Sequence, residues 1–189
     1  VNWLDGLDGL LGGVSLITFI IIFFLSVKPE VNQPPIAILA VIGAGIALGF
    51  LVFNIYPARI LAGTSGSLFV GLFITTLAVI AGTKIATALL VLSLPIADAL
   101  WVIGARIRSG ESIFHPDQRH LHYKLRELGW TERQIAGFFF VLTGFVGAVA
   151  LYTEALGKFI AFFLVFGVIF SLLLFVGHKT NKKKYQAAV

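Results

Sequence analysis

Two carboxylates and an amide recur every three residues at the start of the chain, in NWLDGLDGLLGG. On a helix this spacing places Asn2, Asp5 and Asp8 on one face. Such oxygen ligands suit a hard cation, with Mg²⁺ expected and Mn²⁺ as the alternative. The same acids could instead be solvated at a helix N-terminus, where the helix dipole favours negative charge. Gly6 and Gly9 repeat the spacing and would let another backbone or a ligand come close.

A second polar stretch, YPARILAGTSGSLFVG, leads into an apolar run. Gly63 and Gly66 bracket Thr64 and Ser65. A glycine- and serine-rich turn before a helix presents backbone N–H groups that can bind phosphate. The same residues could also be no more than the cap of a membrane helix.

A third stretch, SIFHPDQRHLHYKLRELGW, contains three of the four histidines. Arg119, His120, His122 and Lys124 form a cluster of donors suited to phosphate or sugar hydroxyls. A zinc site is disfavoured, because histidines two apart lie on different faces of a helix and no third ligand with suitable spacing follows. The remaining alternative is a basic helix that lies on anionic lipid.

The same stretch predicts a short amphipathic helix on the cytoplasmic membrane surface. Pro116 suits its first turn and Gly129 its end. An apolar stripe at helical spacing runs between them: Leu121, Leu125 and Leu128. Thr131 and Gln134 then form a predicted capping box for the next helix.

Asp98 lies inside an apolar run, and an ionisable residue there indicates a functional site by default. It could instead snorkel to the interface or bond Arg106. A transporter built around it would need polar residues in several helix middles and paired helix breaks. The sequence shows only Asp98, near one end of its run, which disfavours a transporter.

The surrounding elements are apolar. The chain is 58% hydrophobic and 12% charged, against about 25% charged in soluble domains. Six runs are long enough to approach the roughly 20 residues of a bilayer crossing: 10–27, 36–54, 67–82, 85–103, 135–153 and 157–177. We therefore predict an all-α integral membrane protein of about six transmembrane helices, with residues 1–189 as one membrane domain and no disulfide, since there is no cysteine.

Basic residues predict the orientation. Eleven of the 14 fall in the N-terminal stretch, 55–66, 104–134 and the tail 178–189, and three fall in the other loops. The positive-inside rule places the first set in the cytoplasm. The net charge of +5 then reflects topology and anionic lipids or substrates, and not nucleic acid. The chain opens without Met, so we expect it to be the C-terminal part of a longer product.

Together the three stretches, with LPIADALWVIGARIRSGESIFHPDQRHLHYKL as the last, resemble the polyprenyl-phosphate N-acetylhexosamine-1-phosphate transferases. The similarity covers about the first 135 residues. Its PD-x-x-H-x-H form is closer to the GlcNAc-1-phosphate branch, which serves teichoic acid and lipopolysaccharide O-antigen synthesis, than to the muramoyl-pentapeptide branch. The resemblance implies a bacterial inner-membrane enzyme with a cytoplasmic active face. It would transfer sugar 1-phosphate from a UDP-N-acetylhexosamine to a polyprenyl phosphate such as undecaprenyl phosphate, releasing UMP.

The resemblance also implies roles for individual residues. Asn2 and Asp5 would bind the metal, Asp5, Asp8 and His120 would be catalytic, and Asp98 matches the acid of the family's P-x-x-D motif. The implied substrate-binding residues are Asn2, Asp8, Ser65, Gly66, Arg119, His120 and His122. The sequence leaves homodimer formation open.

The chain departs from the family pattern at the metal site. Where the family has a metal-binding aspartate, this chain has Thr64, whose hydroxyl is neutral. Tyr123 replaces a frequent third histidine, and the family's aspartate pair on an earlier loop has no counterpart here. The alternative to an active transferase is therefore a non-catalytic member or fragment that binds nucleotide-sugar or lipid.

Overall fold

The computed structural model describes residues 2–80, 93–112, 119–153 and 155–187. A 3₁₀ helix, Asn2–Gly6, precedes α1 (Leu10–Ser26), α2 (Pro34–Asn54) and α3 (Gly63–Ile80). After residues 81–92, α4 spans Ser93–Ser109 and α5 spans Leu121–Glu127. Two long helices complete the described chain: α6 (Glu132–Tyr152) and α7 (Ala155–Ala187).

Four of the described helical segments are long and apolar enough to cross a membrane: Pro34–Asn54, Gly63–Ile80, Glu132–Tyr152 and Phe159–Gly177. The apolar helix α1 is shorter, with 17 residues. The predicted run 85–103 falls partly on residues outside the described chain and partly in α4. Many large apolar side chains on α2, α3 and α7 are exposed, as lipid-facing surfaces require. The helical integral membrane fold predicted from the sequence is confirmed.

Helix α1 is the centre of the bundle and packs against α2, α3 and α6. Small residues allow these helices to approach closely, as is usual inside membranes. A Cβ added at Gly43 would lie 2.6 Å from the ring of Phe19, and one at Gly13 would overlap the ring of Phe140. The packing around α1 therefore depends on glycine at these positions.

One apolar cluster joins the N-terminal segment to the second half of the chain. Leu4 and Leu7 pack with Leu121, Leu125 and residues of α4, α6 and α7. This contact contradicts the prediction that the leucine stripe of α5 lies on the bilayer. Leu121 is 0% and Leu125 4% exposed, because the stripe covers the apolar side of the N-terminal segment.

The predicted end of α5 and the predicted capping box after it are both confirmed. Gly129 has φ +97°, a conformation that favours glycine, and follows the last turn of α5. Thr131 Oγ1 accepts from the N–H of Gln134, and Gln134 Oε1 accepts from the N–H of Thr131. The predicted start near Pro116 lies outside the described residues, and the described helix begins at Leu121.

Candidate functional site

The first and second sequence motifs meet at one end of the bundle. Asp5 lies one residue before the end of the 3₁₀ helix, and its Oδ2 accepts from the N–H of Gly63 at 2.7 Å. Asp8 Oδ2 accepts from the N–H of Ala58 at 2.9 Å. The two carboxylates thus hold the loop between α2 and α3. The two acids do not share a helix, because Asp8 lies in the turn between the 3₁₀ helix and α1, but both reach the segment between α2 and α3.

A buried amide that the sequence analysis did not single out reinforces this contact. Asn54, at the end of α2, is 1% exposed. Its Oδ1 accepts from the N–H of Gly9 at 3.1 Å, and its Nδ2 donates to the carbonyl of Ile60 at 2.9 Å. Asn54 therefore joins the N-terminal segment to the α2–α3 loop. The available signal was an amide at the end of a long apolar run, where a polar side chain needs partners.

The predicted phosphate-binding residues lie within the first turn of α3, because that helix begins earlier than its apolar run. Thr64 and Ser65 are exposed, and Gly66 is half-buried. Ser67 Oγ donates back to the carbonyl of Gly63 at 2.9 Å. The residues therefore lie inside the helix and not in a turn before it, and phosphate binding by its first backbone N–H groups stays a prediction.

The third motif packs directly on the first. A Cβ added at Gly6 would lie 3.0 Å from His122 Nε2 and 3.1 Å from the Tyr123 hydroxyl. This close approach confirms the expectation that glycine in the first motif admits a neighbour. The neighbour is the short helix α5, so the imidazole ring lies against the segment that carries Asp5 and Asp8.

His122 is buried within this contact. Its side chain is 0% exposed, and burial, with a smaller contribution from His120, lowers the pKa of His122 from 6.5 to about 3. The ring lies 4.1 Å from that of Tyr123 and is nearly parallel to that of His120, at 5.8 Å. His122 is therefore neutral near neutral pH, and the sequence-based prediction that it binds substrate stays a prediction.

Asp98 joins the third motif to α4. Its side chain is 0% exposed, while that of His120 is 13% exposed. Asp98 Oδ2 lies 2.9 Å from His120 Nδ1, and Asp98 Oδ1 accepts from the N–H of Leu121 at 2.8 Å. The expectation that Asp98 snorkels to the interface is therefore wrong. Arg106, the other partner considered, donates to the carbonyl of Ser112.

The remaining cationic residues of the third motif lie around this centre. Arg119 pairs with Glu111 at 2.5 Å. The Lys124 ammonium lies 4.8 Å from the centre of the Trp101 ring, a cation–π contact. Asn2 starts the 3₁₀ helix, and its side chain is not among those described. Both cationic side chains thus make contacts within the chain, Arg119 with Glu111 and Lys124 with Trp101.

Asp5 and Asp8 are the described acids with which a divalent cation is expected to interact. Among the described residues no group of three or more Asp, Glu or His could hold a metal ion. Asp5 and Asp8 both accept backbone N–H groups of the α2–α3 loop, and Thr64 offers a neutral hydroxyl. A hard dication requires several oxygen ligands and favours charged ones. The Mg²⁺ or Mn²⁺ site therefore stays a prediction, and the side chain of Asn2, one of its predicted ligands, lies outside the described part of the chain.

Comparison with known proteins supports the motif assignment. Residues 1–82 match the sequence profile of Glycosyl transferase family 4. The chain is 36% identical over 169 residues to a decaprenyl-phosphate N-acetylglucosaminephosphotransferase of Mycobacterium leprae, covering 77% of this chain and 42% of that protein. A Symbiobacterium thermophilum phospho-N-acetylmuramoyl-pentapeptide-transferase is 39% identical over 156 residues, covering 77% of this chain and 45% of that protein.

A third relative also belongs to the N-acetylglucosaminyl 1-phosphate transferases by its name. The chain is 32% identical over 177 residues to a Bacillus subtilis protein named "Probable undecaprenyl-phosphate N-acetylglucosaminyl 1-phosphate transferase", covering 87% of this chain and 48% of that protein. The chain thus spans less than half the length of these relatives. Both sugar branches occur among them at similar identity, so identity alone does not choose the sugar.

Proposed function

Because this chain is homologous over most of its length to the polyprenyl-phosphate N-acetylhexosamine-1-phosphate transferases, we propose that it forms part of such an enzyme in the bacterial inner membrane. The substrates would be a UDP-N-acetylhexosamine, with GlcNAc as the expected sugar, and a polyprenyl phosphate. An oxygen of the lipid phosphate would attack the β-phosphorus, the bond to the α-phosphate would break, and UMP would leave on the cytoplasmic side. The product would enter cell-wall or surface-glycan synthesis.

One observation carries the proposal. Three motifs spread over about 120 residues of sequence meet through direct contacts at one end of a membrane bundle: Asp5 on Gly63, Gly6 against His122, and Asp98 on His120. A purely structural loop helix would not require the acidic, glycine-rich and histidine segments to meet. Two anionic substrates, one of them a lipid, would meet at such a cationic end of the bundle.

The residues of the site would have different roles. The first turn of α3 would offer backbone N–H groups of Ser65 and Gly66 to a phosphate. His120, which retains some exposure, would contact the diphosphate or the sugar, and Arg119 would add positive charge. Asp5 and Asp8 would keep the α3 turn in place. Any metal dependence stays a prediction from the resemblance, and no step is assigned to a metal here.

The test is UMP release by the product of the complete reading frame that encodes this chain, reconstituted in lipid nanodiscs. UDP-GlcNAc and undecaprenyl phosphate are the substrates. His120→Ala should lower turnover by roughly 100-fold or more, the usual contribution of a positioned acid–base or binding group. Glu127→Gln, an exposed change on the same helix, is the matched control and should leave turnover unchanged. Full turnover by folded His120→Ala would refute the assignment and leave α5 as a lipid-surface element.

A second function, binding without catalysis, is favoured by Thr64 at the position of the family aspartate. The two functions separate on Thr64→Asp, which adds a charged oxygen ligand to the exposed first turn of α3. If the protein is a weak transferase, this change should raise both Mg²⁺ affinity and turnover. Nucleotide-sugar binding with no turnover in either protein, at any Mg²⁺ concentration, would establish the non-catalytic function.

A further inference from the structure

We propose that Asp98 is a positioning residue that fixes the tautomer of His120, and so determines which ring nitrogen faces the substrate. The inference rests on the proposed function for its catalytic consequence. The tautomer itself follows from contacts within this chain and can be measured without any turnover.

Asp98 and His120 meet through one carboxylate oxygen and one ring nitrogen. Asp98 Oδ2 lies 2.9 Å from His120 Nδ1, a distance normal for a hydrogen bond to an ionised group. An ionised carboxylate can only accept hydrogen bonds, so the proton of this contact belongs to Nδ1. A neutral imidazole carries one N–H, which leaves Nε2 with its lone pair.

The carboxylate of Asp98 is held through both of its oxygens. Asp98 is 0% exposed, and its other oxygen accepts from the N–H of Leu121 at 2.8 Å. That N–H belongs to the first residue of α5, directly after His120. The carboxylate therefore holds both the side chain of His120 and the backbone beside it, and neither oxygen can turn away without losing a buried hydrogen bond.

The contact with Asp98 also orients the ring of His120. The Nδ1 edge of His120 faces a fully buried carboxylate, while the side chain as a whole keeps 13% exposure. Nε2 is the ring nitrogen that the contact with Asp98 does not use. His120 stacks almost parallel to His122, with 6° between the ring planes, which limits rotation of the ring. Nε2 would accept a proton from, or when protonated donate one to, the bound diphosphate or sugar.

Asp98→Asn is the decisive change, because it keeps the shape of the side chain and replaces one hydrogen-bond acceptor with a donor. The amide oxygen would still accept from the N–H of Leu121, and the amide nitrogen would then donate to His120 Nδ1. The proton should move to Nε2. Loss of the correct tautomer in a comparable carboxylate-to-amide change lowers kcat by about 10⁴-fold, and we expect a fall of roughly 10²- to 10⁴-fold with little change in KM.

The measurement is long-range ¹H–¹⁵N NMR on histidine-labelled protein in nanodiscs, with His120→Gln used to identify the His120 signals. The native protein should show a pyrrole-type Nδ1 and a pyridine-type Nε2, and Asp98→Asn should exchange them. Asp98→Glu should restore the native pattern in part, and with it part of kcat. Ser93→Ala, a buried polar change on the same helix, is the control and should leave the pattern unchanged.

The outcomes are distinct. An unchanged His120 pattern in folded Asp98→Asn overturns the proposal, as does a native pattern with the proton on Nε2. A fall in turnover that accompanies an unchanged pattern would assign Asp98 a purely structural role. If the native protein transfers no sugar phosphate, the NMR result still decides the tautomer, and the failure belongs to the proposed function alone.

Discussion

The buried imidazole of His122 should make the fold sensitive to mild acid. In the unfolded chain this group has its ordinary pKa of 6.5, whereas burial lowers the native value to about 3. Between these two values the unfolded chain binds a proton that the native protein does not bind. Acidification therefore favours unfolding, and stability should fall as the pH drops below about 6.5.

The size of the effect follows from the two pKa values. At pH 5 the unfolded imidazole is almost fully protonated, so the free energy of unfolding should be about 2 kcal/mol lower than at pH 7. The loss should continue toward a limit of about 5 kcal/mol as the pH approaches the native pKa. His120 contributes to the shift, while Tyr123 and the Gly6 segment supply the burial.

The assay compares native protein with His122→Phe, by reversible unfolding in mixed micelles followed through tryptophan fluorescence at pH 7 and pH 5. His122→Phe should lack about 2 kcal/mol of the acid-induced loss, because phenylalanine does not titrate. Tyr123→Phe, which changes the neighbouring ring without changing His122, should keep the full loss. Equal acid sensitivity in native protein and His122→Phe would refute the reasoning, since the other titrating groups are common to both.

Two further changes test the contacts that build the site. Asn54→Ala would leave the N–H of Gly9 and the carbonyl of Ile60 without their buried partner, so the free energy of unfolding should fall by about 2–4 kcal/mol. Asn32→Gly removes an exposed amide from the α1–α2 loop at a position whose φ of +46° glycine tolerates, and it should cost far less. Equal losses would contradict the role of Asn54. Thr131→Ala should lower the free energy of unfolding by about 1 kcal/mol, because it removes the N-cap of α6. Thr131→Ser keeps the hydroxyl and should retain most of that stability. If Thr131→Ser lost as much stability as Thr131→Ala, the cap hydrogen bond would contribute little.

Signals that depend on a few neighbouring residues were reliable in this sequence. The capping box at Thr131 and Gln134 and the stop at Gly129 were predicted from local pattern and are present. The presence of the long helices was also predictable from the length of the apolar runs, because few backbone structures other than a helix can cross a bilayer. The helix start of α3 was placed too late, since its polar first turn does not extend the apolar run.

The local sequence pattern could not predict which surfaces and side chains contact each other in space. A leucine stripe on a short helix fits a bilayer as well as a protein surface, and only the presence of Leu4 and Leu7 in space decides for the protein. The sequence likewise offered solvent or Arg106 for Asp98, while the structure gives it His120 and Leu121, more than 20 residues away. Asn54 was overlooked because its two partners lie in different segments.

The carboxylates of Asp5 and Asp8 should slow hydrogen exchange of the backbone amides that they bind. The loop has no regular structure and much of it is exposed, so its amides would ordinarily exchange rapidly. The N–H of Ala58 in the loop and the N–H of Gly63, the first residue of α3, are nevertheless bound by Asp8 and Asp5. Their deuterium uptake should therefore be slow and should rise together, because one separation of the loop from the N-terminal segment releases both. In kinetic terms the two segments open as a single unit.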